Sequence, residues 1–411
     1  MEKIDNNSIK RVLVLTPVYP AKDVHKSTTP VVHYFVREWL KSGCDVRVIH
    51  FPVNFPQFVY WFAKPLKSFI GNRMGSEIRT WKVRPTEYVL DGVKVRRFPM
   101  QKLLPHSRYP RRQIDAAVKK TISYCESENF FPDVIVSHWV NPQFEIMHYL
   151  KRHFDIPTCF VAHDAGRDLL KLYSTEKDLF IQETDLFGYR SAPIKRCFEE
   201  NFHNSGKKNF QCYSGIPELY MEKVSRKITK ATRFIFVGTL LKRKYPALII
   251  PAVVKAFGVD SFTITYIGEG EETKAVERLT NEFHAKNSVH TLGFLKRDEV
   301  IKQLDAHDVF VMISRDETYG LVYLEAMARG CITVASRNEG FDGIIEDGVN
   351  GFLCEAGNVE ELTMIISKIR NMDSLELQRI SGNAMQTAKQ LTDKQAAMTY
   401  LDNLKQIMRQ S

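Results

Sequence analysis

The chain has 411 residues, 44% of them hydrophobic and 26% charged. That is too long for one ordinary core and too apolar for disorder, so two domains of roughly 150–200 residues each are expected. Lys and Arg number 58 against 48 Asp and Glu, a formal net charge of +10.

Seven cysteines (44, 125, 159, 197, 212, 331 and 354) are scattered without a C-x-x-C pair or zinc-type His spacing. This argues against a disulfide framework and fits a reducing cytoplasm. The polar start MEKIDNNSIK has no apolar signal stretch, and no window approaches the ~20 apolar residues of a membrane span. A soluble or peripheral protein is expected.

The charge is concentrated. Residues 64–112 carry thirteen Lys and Arg against three acids, which equals the whole net charge. Just before them, FPVNFPQFVYWFA (51–63) holds six aromatics and no charge. Aromatics beside a basic block suit a peripheral anchor at an anionic membrane surface. A nucleic-acid role has no helix-turn-helix, zinc-finger or RNP-type signature to support it. A solvated loop whose aromatics fill the local core is the plainer alternative.

In chain order, RVLVLT (11–16) reads as a buried strand, followed by a Pro-rich loop and an amphipathic helix over 31–43 ending at Gly43. Strands follow at 45–50, 93–98, 133–138 and 158–163, with helices between some of them. SGIPELYMEKVSRKITKAT (214–232) is polar and turn-rich, and the alternation then restarts with RFIFVG (233–238). A helix over 246–257, a strand at 262–268, a helix over 271–285 and strands at 288–293, 308–314, 331–336 and 351–355 complete it. Strand–helix alternation of this kind gives parallel sheets. The expected architecture is α/β, two Rossmann-like, doubly wound parallel-sheet domains facing across a cleft. The divisions are 1–225 for an acceptor domain with a basic and aromatic insertion at about 51–112, 226–390 for a nucleotide-sugar domain, and 391–411 for a helix packing back on the first. Ligands in such sheets bind beyond the carboxyl ends of the strands.

The densest chemical signal is SRDETYGLVYLEAMARGCITVAS (314–336). A strand end, a loop with Glu317, and a helix from about Tyr319–Gly320 through Glu325 to Gly330 follow one another. The two Glu are eight apart, slightly over two helical turns. The helix mouth, with free amides and a positive dipole end, suits a phosphate, and Gly320 permits its close approach. In FVGTLLKRKYPALI (236–249), Lys242, Arg243 and Lys244 follow a strand end and can clamp a diphosphate. YIGEGEE (266–272) offers Gly268 and Gly270 at a strand-to-helix turn without the third glycine of a dinucleotide fingerprint. Each piece alone is weak, since paired Glu on a helix and a K-R-K run are usually solvated faces.

Together they resemble the retaining, nucleotide-sugar-dependent glycosyltransferases of the GT-B fold (glycosyl transferases group 1), family 4 in particular. The matching motifs are E-x7-E (Glu317 to Glu325), V-G-x-L-x-x-x-K (Val237 to Lys244), I-G-x-G (Ile267 to Gly270), E-A-M-A-x-G (Glu325 to Gly330) and D-G-x-N-G-F-L (Asp347 to Leu353). They cover about 230–360 specifically and the whole chain loosely. The resemblance implies that Glu317 contacts the donor sugar, Glu325 the ribose hydroxyls and Lys244 the diphosphate. Gly238, Thr239, Arg243, Gly268, Tyr319, Gly320 and Leu321 belong to the same donor site. The family's Arg after the loop glycine is Thr239 here, which leaves the second cation to Arg243.

In the first half, CFVAHDAGRD (159–168) resembles the family's strand-end His that contacts the transferred sugar, which falls on His163. His138, Asp164, Arg96 and Arg97 are placed with the acceptor. KSTTP (26–30) replaces the family's Gly-rich loop, so Ser27, Thr28 and Thr29 are expected to supply contacts there. With no D-x-D in the chain, the expectation is a metal-independent retaining hexosyltransferase with no cofactor. It would move a sugar from a nucleoside-diphosphate sugar, UDP-sugar favoured over GDP-sugar, to a lipid-linked or polysaccharide acceptor. The family's setting is bacterial surface polysaccharide, implying a cytoplasmic protein peripheral to the inner membrane face, with no nucleic-acid partner. A GT-B nucleotide-sugar epimerase and a non-catalytic partner in a synthase complex are the alternatives.

Overall fold

The structure is a computed structural model that describes residues 9–23, 30–63, 81–104, 107–203, 206–222, 224, 226–259 and 261–408. Two sheets organise it. The first has eight strands in the order β10-β9-β8-β7-β1-β2-β5-β4. These are β1 (Arg11–Thr16), β2 (Asp45–His50), β4 (Thr86–Leu90), β5 (Val93–Arg97), β7 (Val134–His138), β8 (Thr158–Ala162), β9 (Leu186–Tyr189) and β10 (Asn209–Gln211). All pairs are parallel except β4 with β5. Two short strands, β3 (Val53–Asn54) and β6 (Met100–Gln101), pair separately.

The alternation of β1 serves both faces, because successive side chains point to opposite sides of a sheet. Leu13 and Leu15 join one core cluster, Val12 and Val14 the other. On the second face lies α1 (Val31–Lys41), whose Val32, Phe35, Val36 and Trp39 recur at helical spacing and are buried. The helix Asp393–Met408 packs against α1 and covers the same face with Ala396, Ala397, Tyr400, Leu401 and Leu404. The Trp39 indole N–H donates to the Ala397 carbonyl at 2.8 Å, and the Tyr400 ring lies 4.9 Å from both Trp39 and Phe210.

The second sheet has the order β13-β12-β11-β14-β15-β16. Its strands, all parallel, are β11 (Arg233–Val237), β12 (Thr263–Ile267), β13 (Val289–Thr291), β14 (Val309–Val311), β15 (Ile332–Ser336) and β16 (Phe352–Cys354). The inner strands β11, β12, β14 and β15 are mostly apolar and almost wholly buried, as strands covered on both faces require, whereas the edge strand β13 (VHT) is largely exposed.

Two chain segments cross between the halves side by side. Ile216 bridges Thr392, donating its N–H to the Leu391 carbonyl at 3.1 Å while its own carbonyl accepts from Asp393 at 2.9 Å. A Cβ on Gly215 would lie 2.1 Å from the Thr392 carbonyl carbon, so this crossing needs glycine. Among the described residues, no helix is long and apolar enough to cross a membrane.

Candidate active site

In each sheet the strand order changes direction beside the first strand, between β11 and β14 in the second and between β1 and β7 in the first. Such switch points open a crevice at the carboxyl ends of the strands. Both sets of candidate residues lie there.

After β11 the chain turns at Gly238 and coils Lys242–Lys244 into one 3-10 turn. Tyr245, at φ +50°, ends that turn before Pro246. After β14 it runs through Ser314 to the loop of Glu317. The loops are joined by the Arg315 N–H, which donates to the Arg243 carbonyl at 2.7 Å. One carboxylate oxygen of Glu317 then lies 3.4 Å from Arg243 Nη1 and 3.9 Å from Lys244 Nζ. Glu317 and Lys244 keep only 14% of their side-chain exposure. Burial pulls the Lys244 pKa down from the ordinary lysine range, opposed by the Glu317 charge. Gly238 leaves room for the ammonium, since a Cβ there would sit 3.2 Å from Nζ. Two cations face one carboxylate, so the cluster is net positive.

A third loop, after β15, fixes the Glu317 backbone. Glu339 accepts from the Glu317 N–H at 2.8 Å, and the Gly340 N–H donates to the Glu317 carbonyl at 2.8 Å. A Cβ on Gly340 would lie 2.4 Å from the Tyr319 nitrogen. The Glu339–Gly340 pair was not singled out from sequence. Its contribution is made through backbone contacts that no spacing reveals.

The helix Leu321–Ala328 has Gly320 as its N-cap at φ +81°. Glu317 precedes the first helical residue by four and is not on the helix, so an eight-residue helical spacing does not relate the two acids. Glu325 lies on it, 3.7 Å from Arg297, with 13% of its side chain exposed. Burial raises the Glu325 pKa, while Arg297 and the Tyr220 hydroxyl lower it. The helix mouth with Gly320 and Leu321 and the Gly238–Thr239 turn thus border one crevice. Gly268 and Gly270 are needed because the neighbouring loop packs on them: a Cβ at Gly268 would meet the Gly238 oxygen at 2.1 Å, and one at Gly270 the Leu240 oxygen at 2.4 Å.

On the opposing sheet, His138 ends β7 and His163 follows β8, with His138 Nδ1 and His163 Nε2 3.0 Å apart. The Trp139 ring stacks on His163 at 3.7 Å between centroids. His138 is fully buried between the Phe35 and Tyr400 rings, and burial brings its pKa to about 3. Burial also lowers that of His163, helped by His138 and Arg190, so both are neutral near pH 7.

His138 Nε2 has no hydrogen-bond partner. A buried N–H without an acceptor is rarer than a bare lone pair. We therefore assign the proton to Nδ1, donating to His163 Nε2, from the network rather than by observation. His163 then carries its own proton on Nδ1, which has no partner among the described residues. Asp164 is exposed and accepts from the Gly166 N–H at 2.6 Å. Next to it, Arg167 reaches across to Asp316 at 3.3 Å.

Four expectations are corrected. His138 supports His163 from behind and cannot touch an acceptor. Arg96 pairs with Glu87 at 2.8 Å across β4–β5 and lies over the Phe98 ring. Arg97 is 5% exposed and forks onto Asp23 at 2.8 and 3.2 Å, so both guanidiniums brace the sheet edge. Tyr319 is buried, and its hydroxyl donates to the Ser214 carbonyl at 2.7 Å. Its ring lies 5.2 Å from the buried Arg190 guanidinium, which itself binds the Cys212 carbonyl and the Ser214 hydroxyl. The Tyr319 side chain is thus packed beside the Gly215–Ile216 crossing segment. Ser27, Thr28 and Thr29 lie outside the described residues.

Residues 221–387 match the family of glycosyl transferases group 1. The matched stretch contains Lys244, Glu317, Glu325 and Glu339, whereas His163 lies outside it. Over 278 residues the chain is 28% identical to the sulfoquinovosyl transferase SQD2 of Arabidopsis thaliana, covering 67% of this chain and 49% of that protein. The chain thus spans about half the length of that relative. It is 31% identical over 175 residues to the alpha-monoglucosyldiacylglycerol synthase of Acholeplasma laidlawii, 41% of this chain and 43% of that one. The structure of Anabaena Alr3699/HepE in complex with UDP and glucose superposes with a TM-score of 0.64 at 17% identity, covering 97% of this chain and 100% of that one. The architecture is the GT-B fold.

Proposed function

We propose that the protein transfers a sugar from a nucleoside-diphosphate sugar, preferably a UDP-sugar, to a hydroxyl of a lipid-linked or polysaccharide acceptor, with retention of configuration. The observation that carries this is the Arg243–Lys244–Glu317 cluster at the switch point of the matched stretch, beside a free helix mouth. The UDP held by Alr3699/HepE and the lipid product named for the Acholeplasma relative support the donor and acceptor classes. On this reading residues 226–390 hold the donor, residues 1–225 meet the acceptor, and residues 391–411 close the first half.

Lys244 and Arg243 neutralise the diphosphate as its charge grows, an electrostatic role for groups already in place. Glu317 accepts hydrogen bonds from the donor sugar hydroxyls and Glu325 from the ribose. His163 donates from Nδ1 to a hydroxyl of the transferred sugar, its tautomer set by His138. The bond from the anomeric carbon to the diphosphate breaks as a bond to the acceptor oxygen forms on the same face. The acceptor proton passes to the departing phosphate oxygen. Charge neutralisation by side chains makes the transfer independent of a divalent cation.

Incubation with UDP-sugars and polyprenyl-phosphate or oligosaccharide acceptors, read by anomeric proton couplings of the product, tests the reading. An α-linked product from an α-donor, formed equally with EDTA present, is expected. Inversion, or an epimerised donor without acceptor transfer, contradicts it.

A further inference from the structure

The structure carries a second recognition surface, and we infer that it docks on an anionic lipid bilayer. It is built where the chain continues beyond the carboxyl ends of β2 and β5. There the parallel ladder extends through Phe98 N–H to His50 O at 2.9 Å, Met100 N–H to Pro52 O at 3.0 Å and Lys102 N–H to Asn54 O at 2.8 Å. The Asn54 side chain then clasps Val83, accepting from its N–H at 2.8 Å and donating to its carbonyl at 2.9 Å. Three segments are thereby gathered around the β3–β6 pair: the short helix α2 (Gln57–Ala63), residues 81–84, and residues 102–104.

Each segment presents large apolar side chains outward. Phe58 is 54% exposed, Trp61 69%, Trp81 46%, Leu103 74% and Leu104 67%, while Tyr60, Val83 and Met100 beneath them are 4–5% exposed. Phe58 and Trp61, three apart on a helix, share a face. Tyr60 turns the other way, inward, its hydroxyl accepting from the Phe55 N–H at 2.9 Å. The buried Tyr60 thereby sets which face of α2 turns outward. Soluble surfaces rarely gather such a patch without a partner.

Charge decides which partner. Lys82 and Arg84 stand exposed among these side chains with no acidic partner among the described residues. Lys102 lies over the Tyr109 ring at 4.7 Å. Elsewhere in the basic stretch Arg96, Arg97 and Arg111 are paired with Glu87, Asp23 and Asp115. Among the described residues of this stretch, Lys82 and Arg84 at the apolar patch and Arg112 outside it are exposed without an ion pair. The centre of a protein interface is depleted of charge. Indole and leucine side chains beside the exposed Lys82 and Arg84 match the headgroup zone of an anionic membrane, where stable attachment needs both signals. The face lies on the cleft side of the first sheet, which would bring a membrane-held acceptor towards the crevice.

Flotation of the full chain with vesicles of phosphatidylcholine, with and without phosphatidylglycerol, tests this. It needs no transfer assay, so its failure and that of the transferase reading are told apart by UDP binding measured on the same samples. Co-flotation with the anionic vesicles is expected. Lys82→Gln with Arg84→Gln should lower partitioning by about thirtyfold. Trp61→Ser with Leu103→Ser and Leu104→Ser should abolish it, with UDP binding and unfolding temperature unchanged. Absence of wild-type co-flotation overturns the proposal, as does equal binding to neutral vesicles or binding that survives both variants. A wild-type dimer that the triple variant dissociates, with no vesicle binding, would make the face a protein interface and overturn it too.

Discussion

Replacing Lys244 with methionine removes one charge from a nearly buried position while keeping an unbranched side chain. Its ammonium lies 3.9 Å from one Glu317 oxygen, with Arg243 3.4 Å from the same oxygen. The carboxylate therefore keeps a counter-ion in the variant, and the fold should lose little. A unit charge pair about 4 Å apart is worth about 4 kcal/mol at an effective dielectric of about 20, and desolvation of the ammonium offsets part of that. A net loss of about 3 kcal/mol is expected, between a hundred- and a thousandfold in a binding constant or a rate, comparable with removing one oxyanion donor. Free UDP carries the fully developed charge of the leaving group, so its dissociation constant reports this interaction without knowledge of the acceptor. Titration calorimetry on the wild type and K244M, with thermal unfolding as the control, is the assay. A UDP affinity within threefold of wild type in a normally folded K244M would refute the role given to this side chain.

Three further outcomes follow from the same geometry. Glu317→Ala should abolish sugar transfer while UDP binds at least as tightly, because a carboxylate facing the phosphates has been removed; rates and calorimetry on one preparation separate the two. Glu339→Ala deletes the acceptor of the Glu317 N–H and should lower kcat about tenfold, since such a bond is worth about 1–1.5 kcal/mol, with KM for the donor nearly unchanged. His138 titrates near 3 in the folded chain against an ordinary 6.5, so the unfolded chain binds the extra proton. Its contribution is complete above about pH 6.5 and is lost as pH falls towards 3, amounting to about 2 kcal/mol by about pH 5. Urea unfolding at several pH values should show this slope flattened in His138→Gln.

The fold was legible where burial leaves a strong pattern. Strands such as RFIFV and VLVLT are covered on both faces and so read as unbroken apolar runs. β4 was missed because it is a half-exposed, antiparallel edge strand. Yet Asp91–Gly92, both at positive φ, is a hairpin turn signal lying in plain sight. β9 was missed because Gly188 interrupts it, and a Cβ there would press on the Phe210 ring at 3.0 Å. At the candidate site, Lys244, Glu317 and His163 were singled out by motif resemblance and by their place just past strand ends, and the structure has them there, where a parallel sheet opens its crevice. Glu339, Trp139 and Arg190 were not, because they act on those residues across long sequence separations. Nor can a charge count reveal pairing: Arg97 reads as a free cation until Asp23 is seen beside it.

A crystal structure of the full chain soaked with UDP bears on all of this at once. The terminal phosphate should lie about 3 Å from Lys244 Nζ and from Arg243, at the mouth of the helix beginning at Leu321, with the ribose beside Glu325. Phosphates bound anywhere else, with the 238–244 and 317–325 segments vacant, would contradict the proposed chemistry.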